Sequence, residues 1–223
     1  MLRKTKADIG KSPHQLFVLV CVSEIVAAVY QIIICYFTAH EYLPPAAICC
    51  AHLATPEEVA ARRNLAFNPY DCHGSHGFYP QASANMETCG EAVFAARNAV
   101  EDIYENDAHG SWPYQNWGIN RDPNAALTID FGRAVTVDEI RLTLQTDFPH
   151  DSWWTQATVA FDDGNREVLT LTKIAALQAF VITPCTVQGL KLFELKKADS
   201  ASPFPALTQI EVYGTETTLG TAP

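Results

Sequence analysis

The chain has 223 residues, room for one large β domain or a domain with additional segments, and enough to bury a sizeable core. Fifteen Lys and Arg face twenty-five Asp and Glu, a formal charge of −10. This balance excludes nucleic acid as a partner, because phosphate binding draws on clustered basic groups. Seven cysteines, an odd number with no CxxC pair, exclude a zinc-ribbon arrangement and read as free thiols of a reducing compartment, which favours the cytoplasm. A Cys72–Cys89 disulfide is the alternative for an exported chain.

Residues 1–15 are polar and basic, and residues 16–37 are strongly apolar. Two readings of 16–37 stand. Its length and basic flank suit a signal or membrane anchor. Glu24, Gln31 and the Val- and Ile-rich blocks of six or seven residues suit buried strands. Membrane contact is left open by this pair. Pro44-Pro45 closes the region, so residues 1–54 form an N-terminal apolar extension. Thr55-Pro56-Glu57-Glu58 then predicts a short helix to about Arg63, with Thr55 as cap, Pro56 at the first helical position and Glu58 closing a capping box. Residues 64–90 are rich in turn formers and read as irregular, so 55–90 is a helix plus linker. His73 and His76 fall there beside Cys72, without the spacing of a complete metal set.

Gly90 to Val100 predicts a short helix or turn leading into the main domain. The segment His109 to Arg121 follows, with Trp112, Tyr114, Trp117, Asn120 and Arg121. From Ala126 the pattern becomes β. Leu127–Phe131 alternates and ends at Gly132, and Val137–Leu144 alternates again. A second aromatic segment, Asp147 to Trp154, separates this from a strand over Thr155–Phe161. Asp162-Asp163-Gly164-Asn165 is a hairpin turn, from which Arg166–Leu171 returns antiparallel. Strands near Phe180–Ile182, Gly189–Glu194 and Leu207–Tyr213 complete an all-β, antiparallel sandwich or jelly roll over residues 91–215, with 216–223 as a tail.

All four tryptophans lie in the two aromatic segments. Flat rings beside hydrogen-bonding groups match a pyranose, which has an apolar C–H face and a rim of hydroxyls, and ligand pockets in general combine aromatic walls with a few polar groups. Any single Trp reads equally well as core. If Trp153-Trp154 is extended, at most one of its rings faces the core, because successive side chains point to opposite faces.

Four fragments in order, Ile129–Gly132, Val137–Leu142, Val159–Gly164 and Glu211–Gly214, resemble the galactose-binding-like domains. These include the discoidin or coagulation factor 5/8 type C modules and many bacterial carbohydrate-binding modules. The resemblance covers about residues 92–215. It implies an eight-strand jelly-roll sandwich that binds a carbohydrate or glycan in loops at one end and performs no catalysis. Its stacking candidates are Trp112, Tyr114, Trp117, Trp153 and Trp154, and its polar candidates are Asn120, Arg121, Asp147, His150 and Asp151. No cofactor is implied as required. The family's structural calcium maps onto Glu101, Asp102, Asn106 and Glu211, with Glu101 where the family has Asp and Asp102 where it has Gly, and the alternative there is an ordinary acidic turn.

His109 with Ser111, and His150 with Asp151 and Ser152, are catalytic residue types, but neighbours in sequence do not make a triad. A protein-interaction or structural module, with homo-oligomers formed through an apolar patch, is the alternative to sugar binding, and a glycan hydrolase is the third reading.

Overall fold

The computed structural model describes residues 55–71, 78–106, 108–146 and 151–217. Segment 16–37, His73, His76, Asp147 and His150 lie outside the described residues. The chain divides into two units, Met1–Val59 and Ala60–Pro223. No helix among the described residues is long and apolar enough to cross a membrane.

Helix α1 spans Pro56–Ala60 and opens with the capping box read from the sequence. The Thr55 N–H donates to Glu58 Oε2 at 2.8 Å, and the Glu58 N–H donates to Thr55 Oγ1 at 3.3 Å. It stops short of the expected Arg63 because the next backbone groups belong to a sheet. Leu65 N–H donates to the Val212 carbonyl at 2.7 Å, and Asn64 Oδ1 accepts from Val212 N–H at 3.0 Å.

The second unit is an antiparallel all-β sandwich of jelly-roll type. Among the described residues its strands are β1 (Arg63–Asn64), β2 (Gln81–Ala84), β3 (Trp117–Gly118), β4 (Leu127–Gln145), β5 (Trp154–Phe161), β6 (Arg166–Thr170), β7 (Gln178–Lys197) and β8 (Ala206–Glu216). They pair in the order β1-β8-β4-β7-β5-β6, with β2 added to β4 and β3 to β8. Segment 55–90, read as helix and irregular linker, therefore contributes two strands. Four residues of Gln81–Ala84 are too few to show alternation, and their place is set by pairing with Leu127–Asp130.

Two pairs of expected strands are each one long strand. β4 joins Leu127–Phe131 to Val137–Leu144, with the ladder to β7 irregular between Asp130 and Val135. β7 joins Phe180–Ile182 to Gly189–Glu194 through Pro184. That proline falls where the register shifts opposite Val137 and Glu139, a bulge that tolerates the missing N–H. The β5–β6 hairpin forms as read, with Phe161 N–H donating to Asn165 O at 2.9 Å. Thr88–Val100 contains three short 3-10 turns, the last of them largely buried, so the expected helix or turn from Gly90 is a run of turns that starts two residues earlier. Alternating residues Leu127, Ile129, Phe131, Val135 and Val137 enter one core shared with β5, β7 and β8. Each such side chain contributes about 1.5–3 kcal/mol on burial.

β4 and β7 end where β5 and β8 begin, since Gln145 pairs with Ala206 and Trp154 with Lys197. β3 joins β8 at the same level through Trp117 and Leu207. The connections between these strand ends gather at one tip of the sandwich.

Candidate ligand-binding site

A hollow of about 210 Å³ opens at this tip. Phe94, His109 and Phe204 supply its ring walls, and Thr88, Asn120 and Arg121 its polar groups. The Phe94 and His109 rings stand 6.0 Å apart at 42°. The Arg121 guanidinium lies over the Phe204 ring, 5.1 Å from its centroid, a cation–π contact that sets the orientation of both side chains.

Three connections build it, and each is anchored. Asn120 and Arg121 follow β3 with φ of +47° and +62°, a left-handed conformation that non-glycine residues adopt at a cost. The turn is held because Asn120 N–H donates to Thr88 Oγ1 at 3.0 Å. Gly118 leaves room for the wall: a Cβ there would stand 2.9 Å from Thr88 Oγ1 and 3.0 Å from Phe94 Cδ1. Phe204 lies between two prolines in the β7–β8 connection. Lys197 Nζ orders that connection by donating to the carbonyls of Ala198 and Ser200 at 2.9 and 3.0 Å. Ser200 Oγ meets buried Ser152 Oγ at 2.9 Å, which ties this connection to the one before β5. Beneath the hollow, buried Asn116 links three elements. Its Nδ2 donates to Gln145 Oε1, its Oδ1 accepts from Thr208 Oγ1 at 3.1 Å, and its carbonyl accepts from Asn98 Nδ2 at 3.0 Å. Such paired polar groups hold a site in one geometry.

The sequence candidates divide. Asn120 and Arg121 line the hollow. Trp117 and Trp154 do not: both are sealed in the core, where their rings meet at 6.4 Å. They are corrected from stacking residues to core residues, because β3 and the first residue of β5 turn them inward. Trp112 is exposed and stands edge-on to Tyr114 at 5.3 Å, and neither ring lines the hollow. Half-buried Trp153 and exposed Asp151 form a separate cluster with Lys173, which pairs with Asp151 and lies 5.1 Å from the Trp153 ring. Of Trp153-Trp154, one ring faces the core fully, as an extended segment requires.

Of the acidic set only Asp102 and Glu211 come together, at the Tyr104 hydroxyl. Glu101 is buried and turned to Arg97 at 3.4 Å. Burial raises its pKa above the usual carboxylate range; Arg97 opposes this and Asp71 adds to it. Glu211 accepts the Tyr104 hydroxyl at 2.7 Å and faces Arg141 at 3.8 Å. Asp102 approaches the same hydroxyl, and burial raises its pKa. Asn106 is tied to the Ser111 carbonyl. Among the described residues no three His, Cys, Asp or Glu side chains stand together as a metal set. The fit to calcium is therefore poor: an arginine guanidinium and a phenol stand against the two carboxylates. Cys89 is a free thiol, and Cys72 lies outside the described residues.

Phe94, His109 and Phe204 were absent from the sequence candidates for binding. The available signal was Phe204 flanked by Pro203 and Pro205 in a connection between strands, a rigid setting that presents a ring.

No family model matches the sequence, and no curated protein matches it. Among solved structures, the chain is similar to chitosan-binding module 1 derived from a chitosanase/glucanase of Paenibacillus sp. IK-5, at 19% identity over 68% of this chain and 99% of that one, with a TM-score of 0.47. It is similar to the family 32 carbohydrate-binding module of C. perfringens NanJ, solved with galactose, at 18% identity over 60% and 92% of the two chains, TM-score 0.46. It is also similar to the lectin domain of lectinolysin complexed with Lewis B antigen, at 17% identity over 69% and 97%, TM-score 0.49. Likeness at this level leaves the functional reading to the residues of the hollow.

Proposed function

We propose that the protein is a non-catalytic sugar-binding module whose ligand occupies the hollow at the sandwich tip. The observation that carries this is the pairing of ring walls from Phe94 and Phe204 with the hydrogen-bonding groups of Asn120 and Arg121. A sugar ring offers the complementary surfaces, an apolar face for the rings and hydroxyls for the amide and guanidinium. The volume, about 210 Å³, lies below the ~300–1,000 Å³ of pockets for drug-sized ligands and suits a single ring at a chain end. Glycoside hydrolysis needs two carboxyl groups flanking the bond, and the described lining holds none. A glycan array followed by calorimetric titration tests the reading. Affinity that falls about tenfold in Phe204→Ala supports it, and the absence of affinity for any glycan removes it.

One observation favours the interaction-module reading instead. Val181 on β7 and Val168 on β6 are 87% and 61% exposed, and among the described strands β6 pairs with β5 alone. Exposed apolar groups and, separately, a strand edge without a partner among the described residues suit association. This reading predicts a light-scattering mass that rises with concentration and returns to that of one chain in Val181→Lys.

A further inference from the structure

Arg121 is the formally charged side chain of the hollow's described lining, which holds no carboxylate, in a chain where acids outnumber Lys and Arg by twenty-five to fifteen. Arg121 also differs from the other described arginines. Arg62, Arg63, Arg97, Arg133 and Arg141 each pair with a carboxylate. Arg166 lies over the Phe193 ring on the edge strand. Arg121 makes no ion pair among the described residues, and its neighbour Asp122 directs Oδ1 to the Asn124 N–H at 2.8 Å. The Arg121 guanidinium carbon lies over the Phe204 ring, 5.1 Å from its centroid. A ring contact neutralises no charge, so the guanidinium still takes an anionic partner at its N–H fork. That fork matches two oxygens of a planar or tetrahedral oxyanion better than it matches separate hydroxyls.

We infer that the sugar taken by this hollow bears an acidic group, a ring carboxylate or a sulfate ester, held by Arg121. The inference rests on the sugar-binding reading and names its ligand class. The oxyanion stands against the Arg121 fork while Phe94 and Phe204 contact the C–H surface of the ring.

The full chain is titrated calorimetrically with matched pairs: galacturonate against galactose, glucuronate against glucose, and galactose 6-sulfate against galactose. At low salt at least one acidic member binds about tenfold more tightly than its neutral parent, the usual worth of a hydrogen bond to a charged group. Which acid gains the preference separates carboxylate from sulfate. The preference shrinks as salt screens it. Arg121→Gln brings the ratio of acidic to neutral affinity to about one. Arg121→Lys, which keeps the charge without the fork, gives an intermediate ratio and serves as the second variant should the first melt early. Neutral parents that bind as tightly as the acids, or a ratio unchanged in Arg121→Gln, overturn the acidic-ligand inference and leave sugar binding standing. Failure of every sugar, acidic and neutral alike, overturns both.

Discussion

Trp117 and Trp154 meet ring to ring at 6.4 Å inside the sandwich, one from β3 and one from the first residue of β5. The two indoles differ in their polar atom. Trp117 Nε1 donates to the Met86 carbonyl at 2.9 Å, whereas Trp154 Nε1 is buried with no partner among the described residues. Replacing Trp117 by Phe therefore loses a hydrogen bond and strands a carbonyl, a cost of about 1–3 kcal/mol beyond the packing change. Trp154→Phe removes a donor that was already unsatisfied and costs less. Denaturant melts of the two variants check the order, and a Trp154→Phe that is the less stable of the pair contradicts it.

Phe204 and Trp112 make the converse pair. Both are exposed, yet only Phe204 lines the hollow. Phe204→Ala lowers sugar affinity by about tenfold, the worth of a ring contact plus its buried area, and moves stability by under ~1 kcal/mol. Trp112→Ala, equally mild for stability, leaves the affinity in place. Titration and melting of both variants read this directly. A Trp112→Ala protein that loses binding would shift the site to the Trp112–Tyr114 pair.

The tip was half legible in the sequence, and the division has a physical cause. Alternation along β4 is local, so Leu127 to Val137 announce their inward face residue by residue. Pairing by Gln81–Ala84 is not local, and four residues carry no period of their own. Among the motif fragments, the closing Glu211–Gly214 has a steric reason: a Cβ on Gly214 would run into the Thr136 carbonyl across the β4–β8 ladder. For the aromatics, composition locates rings but not the direction they point. Trp117 and Trp154 sit on strands and turn in, while Phe204, in a short connection between prolines, turns to the hollow. Arg121 could be read as polar and near the tip, but its lack of a carboxylate partner among the described residues depends on the three-dimensional pairing of the other arginines.

Glu101 gives a prediction in pH. Burial holds its carboxyl above the usual range despite Arg97, and Asp71 adds to the rise. The folded state therefore binds this proton more tightly than the unfolded chain does. Its contribution is complete below the unfolded carboxylate value of about 4.3 and is lost as pH climbs through the folded value. Glu101→Gln carries no charge to bury. Its melting temperature relative to wild type should rise as pH climbs above about 4 and level off once pH has passed the folded value. Glu139 acts with the opposite sign, since Arg141 and Arg62 hold it below the usual range, but it is common to both proteins and cancels in the difference. A wild type that gains on the variant with rising pH would mean that the Arg97 pairing outweighs burial.

Gly118 ties the architecture of the hollow to its capacity. It is buried on β3, pairs with Ala206, and has the Thr88 hydroxyl and the Phe94 ring pressed against it. A methyl group there meets Phe94 Cδ1 at 3.0 Å, closer than carbon atoms rest, so one of the two must give. The β3 backbone is held by its ladder to β8, so the ring yields, and the ring is one wall of the hollow. Gly118→Ala should cost about 1–3 kcal/mol through overpacking and weaken sugar binding more than that loss of stability explains. Removing the ring in Gly118→Ala/Phe94→Ala relieves the overlap with Cδ1 and restores part of the stability, the contact with Thr88 Oγ1 remaining, while affinity stays low because the wall is gone. Melting curves and titrations of the single and double variants separate the two effects. A double variant that recovers full affinity would show that Phe94 fills space without touching the ligand.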